Sequence, residues 1–138
     1  MLVEGYSRVM ARLQEDLQNE CGLPPTWFEV LLRLARTPGG RLRMSDLASQ
    51  VSFTSGGFTR LADRLEAAGH LRREPCPTDR RAAFAVITAD GRSVVEHAAR
   101  VHLRGLQEYV LDHVEEADLV ASVRAARAIR DAQSPPRA

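Results

Sequence analysis

The stretch of residues 44–88 is MSDLASQVSFTSGGFTRLADRLEAAGHLRREPCPTDRRAAFAVIT. It divides into a short helix, a turn, a second helix and a two-stranded hairpin with a basic tip. In the second helix Phe58, Leu61, Ala62 and Leu65 recur at helical spacing and predict one buried stripe. The opposite face carries Ser55, Gly56, Thr59, Arg60, Asp63 and Arg64, which are small or hydrogen-bonding. Thr54 stands where an N-cap belongs, and Gly69 where a left-handed residue ends a helix. Small residues at the N-terminal end let backbone and short side chains approach a phosphate or a base edge. Any small helical hairpin on a hydrophobic core could show the same stripe, so the helix alone does not decide function.

The segment after it does more. Leu71–Arg73 can pair back with Ala82–Thr88, where Phe84 and Val86 alternate with Ala83, Ala85 and Ile87. Between them Pro75-Cys76-Pro77-Thr78-Asp79 reads as a rigid turn, with Arg80-Arg81 just past it. Proline fixes a backbone dihedral and removes a donor that would extend the ladder. Guanidinium groups at a narrow tip suit the minor groove of DNA, where negative potential concentrates. Asp79 is spaced to hold the Arg81 side chain by a bidentate pair. The plain alternative is an exposed hairpin with a surface ion pair, which contributes little.

Taken in order, SGGFTRLADRLEAAGHL, a basic strand, PTDRR and AVITADGR resemble the MarR family (multiple antibiotic resistance regulators). That family runs helix-turn-helix, recognition helix, a wing with a D-x-R signature, and L-T-x-x-G-R opening a long helix. Here D-x-R is Asp79-Arg80-Arg81, and the helix opens with Ile87-Thr88-Ala89-Asp90-Gly91-Arg92. The resemblance extends from about Leu23 to the C-terminal helix; the first helix is short for the family.

The resemblance implies a mainly α fold: a winged helix-turn-helix with a small β-hairpin wing, flanked by N- and C-terminal dimerisation helices. Residues 1–138 form a single domain on this reading, with the DNA-binding unit at 23–88, dimerisation helices at 1–22 and 89–133, and a flexible tail at 134–138. It implies no enzyme and no cofactor, but a homodimeric transcriptional regulator. Its expected partner is double-stranded DNA, and its expected role a ligand-responsive repressor on a pseudo-palindromic operator. Phosphate contacts are expected from Arg41, Arg43, Thr54, Thr59 and Arg64, and base contacts in the major groove from Ser55, Gly56 and Arg60. Arg81 is expected in the minor groove, with Asp79 and Arg80 completing the wing. In such regulators small aromatic or phenolic anions bind between the dimer helices and the winged-helix body. Tyr6, Met10, Trp27, Phe28 and His102 are the residues expected to line that cleft, although the same residues suit a core.

The chain has 138 residues, enough for one domain with a core but small for a catalytic domain with deep pockets. Its net charge is only +1, so global basicity does not announce nucleic acid. The distribution says more: between Arg41 and Arg81 eight arginines stand against five carboxylates, a local +3, which leaves −2 for the rest. Every basic residue is arginine, a bias that a GC-rich genome would explain. No run of about 18 apolar residues predicts a membrane span and Met1 opens no signal peptide, so a cytoplasmic protein is expected.

Gly56-Gly57 lies in a helix without the lysine of a phosphate-binding loop. His70, His97, His102 and His113 show no metal-ligand spacing, and no nucleophile has an evident base. Cys21 and Cys76 do not make a disulfide framework. A redox-sensing regulator acting through Cys21 or Cys76 is one alternative; Cys76 has Arg72, Arg73 and Arg80 near it in sequence, which favours a thiolate. A winged-helix protein-interaction module, its basic wing on an acidic partner, is another.

Outside the central stretch, Leu2–Cys21 reads as an amphipathic helix with Leu2, Tyr6, Val9, Met10, Leu13 and Leu17 on one face. Gly22 and Pro24-Pro25 end it. Thr26 and Glu29 then form a capping box for a helix whose stripe is Phe28, Leu31, Leu32 and Ala35. Arg41-Leu42-Arg43 reads as a short strand pairing with the wing, after which Ser45 caps Asp46–Val51. Thr88 caps a long helix through about Asp112, and a last helix begins near Glu115 with Leu119, Val120, Val123 and Ile129 as its stripe. The terminal helices carry more apolar surface than one small winged helix uses, which predicts a dimer interface.

Overall fold

The computed structural model describes residues 1–51, 55–79 and 81–133. Among the described residues six α-helices and three strands follow one another: α1 (Leu2–Cys21), α2 (Pro25–Arg36), β1 (Arg41–Arg43), α3 (Met44–Gln50), α4 (Ser55–Ala67), β2 (Leu71–Pro75), β3 (Ala83–Ile87), α5 (Ala89–Tyr109) and α6 (Glu116–Ala132). The strands form one antiparallel sheet in the order β1-β3-β2. This is the mainly α winged helix that the sequence predicts, with Arg41-Leu42-Arg43 as the third strand.

Four local expectations are corrected. α2 begins at Pro25 with Pro24 as its N-cap, so Thr26 lies inside the helix and makes no capping box. Proline in the first turn brings a preset dihedral and no N–H in need of a cap, and Glu29 faces Arg33 at 3.9 Å instead. α3 starts directly out of β1 with Arg43 at the N-cap, which places Ser45 within the helix. Pro75 is the last residue of β2, opposite Ala83, rather than part of the turn. A proline is tolerated on this outer strand, and the next rung, from the Cys76 N–H to the Ala82 carbonyl at 3.0 Å, is still made. α5 stops at Tyr109, three residues short of Asp112, because Val110 leaves helical dihedrals (φ −128, ψ −62) before a 3-10 turn at Leu111–His113.

The core lies where α2, α3, α4 and the sheet meet α5. Val30, Leu31 and Leu34 of α2, Leu47 of α3, Phe58, Leu61, Ala62 and Leu65 of α4, and Val95 and Ala98 of α5 are buried together. Strand register sorts the sheet. Leu71, Ala85 and Ile87 face this core, while Arg41, Arg43, Arg72, Glu74 and Phe84 share the outer face. Full burial of each large aliphatic or aromatic side chain contributes about 1.5–3 kcal/mol, so the α4 stripe alone fixes the orientation of that helix.

The end of α4 is tied to the start of α5. Gly69 takes φ 79, a left-handed conformation that suits glycine, and the His70 N–H reaches the Leu65 carbonyl at 3.0 Å. Thr88 caps α5, accepting from the Gly91 N–H at 2.9 Å, and its hydroxyl donates to the Gly69 carbonyl at 2.6 Å. A Cβ at Gly91 would overlap the His70 carbonyl oxygen, so this contact needs glycine. α1 lies along α5, where Gly105 admits Leu13 and the Tyr109 hydroxyl donates to Asp16 at 2.9 Å.

α6 has no buried residue: Val120 is 58% exposed and Ile129 64%. Tyr6 and Leu103 are also exposed, on α1 and α5. Among the described residues, no helix is long and apolar enough to cross a membrane.

Candidate nucleic-acid interface

Burial of Phe58, Leu61, Ala62 and Leu65 turns the other face of α4 outward. Gly56, Thr59, Arg60, Asp63 and Arg64 are exposed there, and Gly57, Arg60, Asp63 and Arg64 line a shallow concavity. Arg60 and Arg64 are one turn apart and make no ion pair among the described residues. Ser55 opens the helix; Thr54 lies outside the described residues.

Arg73 behaves differently from its neighbours, and sequence reading missed its role. Its position on the inner face of β2 sends it under α4, where its guanidinium meets Asp63 at 2.7 Å and Glu66 at 2.7 Å. Its own backbone N–H donates to Glu66 at 2.9 Å. This arginine adds no net charge to an outer surface but bolts α4 to β2. The i, i+2 alternation of strand β2 is the signal that separates it from Arg72.

On the outer face of the sheet, Arg72 reaches Glu74 at 2.7 Å and Arg41 reaches it at 3.4 Å. The hydrogen bond from Arg72 holds the Glu74 carboxyl below the ordinary carboxylate range. Arg41 lies over the Phe84 ring at 3.8 Å and Arg43 at 5.7 Å. The eight arginines counted in the sequence therefore do not form one uniform patch: Arg41, Arg72 and Arg73 are answered locally, whereas Arg60 and Arg64 make no ion pair among the described residues.

At the wing, Asp79 Oδ1 accepts the backbone N–H of Arg81 at 2.9 Å. The expected carboxylate–guanidinium pair is not formed: Asp79 fixes the backbone of the turn, and the Arg81 side chain stays exposed. The turn is closed by the Ala82 N–H on the Asp79 carbonyl at 3.1 Å. Arg80 lies outside the described residues.

Cys76 sits in the wing, only 6% exposed, with Thr78 Oγ1 at 3.4 Å and the Arg43 guanidinium at 3.9 Å. Hydrogen bonding from Thr78 holds its thiol below the usual value of 9.0. Cys21, at the end of α1, is raised, chiefly by burial and then by Glu20.

A cleft of about 340 Å³ opens between α1, α2 and α5. Met10, Phe28 and His102 line it, as expected, together with Leu13, Leu17 and Leu32. Tyr6 and Trp27 do not. Tyr6 is 66% exposed toward the start of α1, and Trp27 packs edge-on against His70 with ring centroids 6.0 Å apart. Adjacent residues on a helix diverge by about a quarter turn, so Phe28 and Trp27 face different neighbours.

The family model of the MarR family matches residues 22–82. The chain is 33% identical over 123 residues to the HTH-type transcriptional regulator MhqR of Bacillus subtilis, covering 89% of this chain and 75% of that one. Among solved structures it is similar to Sco3205, a MarR family transcriptional regulator from Streptomyces coelicolor in complex with DNA. That match has a TM-score of 0.90 and 29% identity over 99% of this chain and 86% of that one. It is also similar to BpsR of Bordetella bronchiseptica, whose DNA binding is regulated by 6-hydroxynicotinic acid, with a TM-score of 0.80 and 25% identity over 94% and 90% of the two chains. By shared sequence along most of its length and by a winged helix of the same build, this chain belongs to the MarR family of DNA-binding transcriptional regulators.

Proposed function

We propose that the protein is a homodimer that binds a pseudo-palindromic operator and represses transcription until a small aromatic or phenolic effector releases it. The observation that carries this reading is the exposed face of α4, where Thr59, Arg60 and Arg64 project outward while the opposite stripe is buried. Arg60 then reads base edges, with Ser55 and Gly56 beside it, while Arg64, Thr59, Thr54, Arg41 and Arg43 hold phosphates and Arg81 enters the minor groove. Asp79 shapes the turn of the wing, and Arg80 adds a further cation for the DNA backbone.

One such reading head has little affinity, and the exposed apolar side chains of α1, α5 and α6 supply a surface for pairing two. Heads roughly 34 Å apart meet successive turns on one face of DNA, and a dimer seated there blocks a promoter beneath it. Residues 23–88 would serve as the DNA unit and 1–22 with 89–133 as the dimerisation helices, in a protein acting in the cytoplasm. The cleft beside His102 would take the effector, as regulation of BpsR by a hydroxylated aromatic acid supports by similarity.

Selecting bound sequences from a random DNA pool tests the reading. A palindromic consensus, bound with log affinity falling linearly against log salt, is expected. A pool that yields no consensus, or affinity indifferent to salt, would refute it.

A further inference from the structure

Alternation along the strands divides the arginines of the sheet between two faces. Arg73 points inward to α4, whereas Arg41, Arg43 and Arg72 share the outer face with Phe84 and Glu74. The register sets Arg41 and Arg72 on either side of Val86, and Arg43 and Glu74 on either side of Phe84. Arg41 lies over the Phe84 ring at 3.8 Å, so packing as well as charge holds it in place. Arg72 is held by charge: Glu74 Oε1 accepts from its Nε at 3.1 Å and from its Nη2 at 2.7 Å. The other carboxylate oxygen stands 3.4 Å from the Arg41 Nε. The hydrogen bond from Arg72 keeps the Glu74 carboxyl below the ordinary carboxylate range, so it is charged at neutral pH.

A carboxylate in this place opposes DNA binding, since it repels phosphates and occupies a guanidinium that could hold one. It adds little to stability, because the Arg72 side chain is 57% exposed and an ion pair in water contributes little. Its effect falls on binding. Three arginines and one carboxylate give the outer face a charge of +2 in place of +3. Phosphate contacts carry no sequence information, so each cation released there favours any duplex. On an operator, base contacts from α4 fix where every phosphate lies. On other DNA nothing fixes the register, and the protein settles wherever its cations meet phosphates. A released guanidinium therefore favours random DNA more than the operator, and the ratio of the two affinities falls. We propose that Glu74 is a specificity-determining residue: it occupies Arg72 as an internal counter-ion and keeps that guanidinium off the phosphates of non-operator DNA. This rests on the operator reading proposed above and adds to it two residues that touch no base.

The test is a titration of the full chain against the selected operator and against a random duplex of equal length, over a series of salt concentrations. Glu74→Gln keeps the shape of the side chain and removes its charge. It should bind the random duplex about threefold tighter, with the slope of log affinity against log salt steeper by about 0.9, the value of one phosphate contact. Operator affinity should rise less, so the preference for the operator narrows. Combining Glu74→Gln with Arg72→Gln removes both charges and should return the random-duplex affinity and slope to their wild-type values. Arg72→Gln alone should leave the slope unchanged, because that guanidinium is already occupied. A role confined to strand packing would move the unfolding midpoint and leave the slope alone. Random-duplex affinity and slope unmoved by Glu74→Gln, or a preference that does not narrow, overturns the inference and leaves operator reading intact. So does a double variant that binds random DNA as Glu74→Gln does, since the released cation is then not Arg72. Should Glu74→Gln fail to fold, Arg72→Gln decides, because a shallower slope would show Arg72 already on phosphate. A wild type with no preference for the operator removes the operator reading, and this inference with it.

Discussion

Arg60 and Arg81 are exposed side chains placed by different means, one by the buried stripe of α4 and the other by a turn that Asp79 closes. Arg60→Ala is expected to cost about 1–3 kcal/mol of operator binding per contact and to relax preference at one base position in each half-site. Arg81→Ala should weaken binding to every sequence, most where the flank is A·T-rich, and leave the central preference intact. Because Asp79 holds a backbone N–H, Asp79→Asn, which keeps a carbonyl acceptor, should bind nearly as the wild type does, whereas Asp79→Ala should follow Arg81→Ala more mildly. Titrations of the selected operator and its single-base variants at fixed salt check all four. Wild-type binding by both arginine variants would mean that the winged helix does not read DNA. The cysteines differ from these exposed groups. Cys76 is 6% exposed and Cys21 is raised by burial, so neither meets the joint need of a sensor thiol for access and a low pKa. Replacing both by serine should leave operator affinity and its response to peroxide unchanged; peroxide that releases the wild type and spares the double variant would establish redox sensing.

Between elements, two junctions hold α5 against its neighbours. At the first, Thr88 caps α5 while donating to Gly69, and Gly91 touches the His70 carbonyl. Thr88→Ala should lower unfolding stability by about 1 kcal/mol, the usual loss of a cap. Gly91→Ala should cost more, because the added methyl meets backbone that cannot move aside. Urea denaturation ranks the two, and equal midpoints would contradict the packing. At the second, the Tyr109 hydroxyl donates to Asp16 across α1 and α5, and that hydrogen bond raises the phenol above its ordinary 10.0. A raised pKa in the folded state means stability fully present below the unfolded value and lost as pH rises through the folded one. The wild type should therefore lose stability relative to Tyr109→Phe as pH climbs beyond 10.0. Parallel curves for the two proteins would show that the bond does not form.

For the whole molecule, exposed apolar side chains on α1, α5 and α6 find no burial within one chain. Light scattering at micromolar concentration should give twice the 15.3 kDa chain mass. Deleting residues 114–138 should yield a monomer with weak operator binding, since each half-site then acts alone. A full-length monomer that still bound a palindrome tightly would exclude the pairing of two heads.

The helices, the three strands and the α4 stripe were legible in the sequence because each depends on local periodicity: Phe58, Leu61, Ala62 and Leu65 can share a face only in a helix. The wing order and the Thr88 cap were legible for the same reason, and so were Met10, Phe28 and His102 as cleft residues, through family resemblance. Tertiary structure decided what each charge and ring meets. Arg73 looked like part of a basic patch until the inner face of β2 placed it between Asp63 and Glu66. Asp79 took the backbone N–H of Arg81 in place of its guanidinium, and Trp27 turned to His70 and away from the cleft. A partner far along the chain leaves no mark on local spacing, and only the folded backbone brings the two within reach.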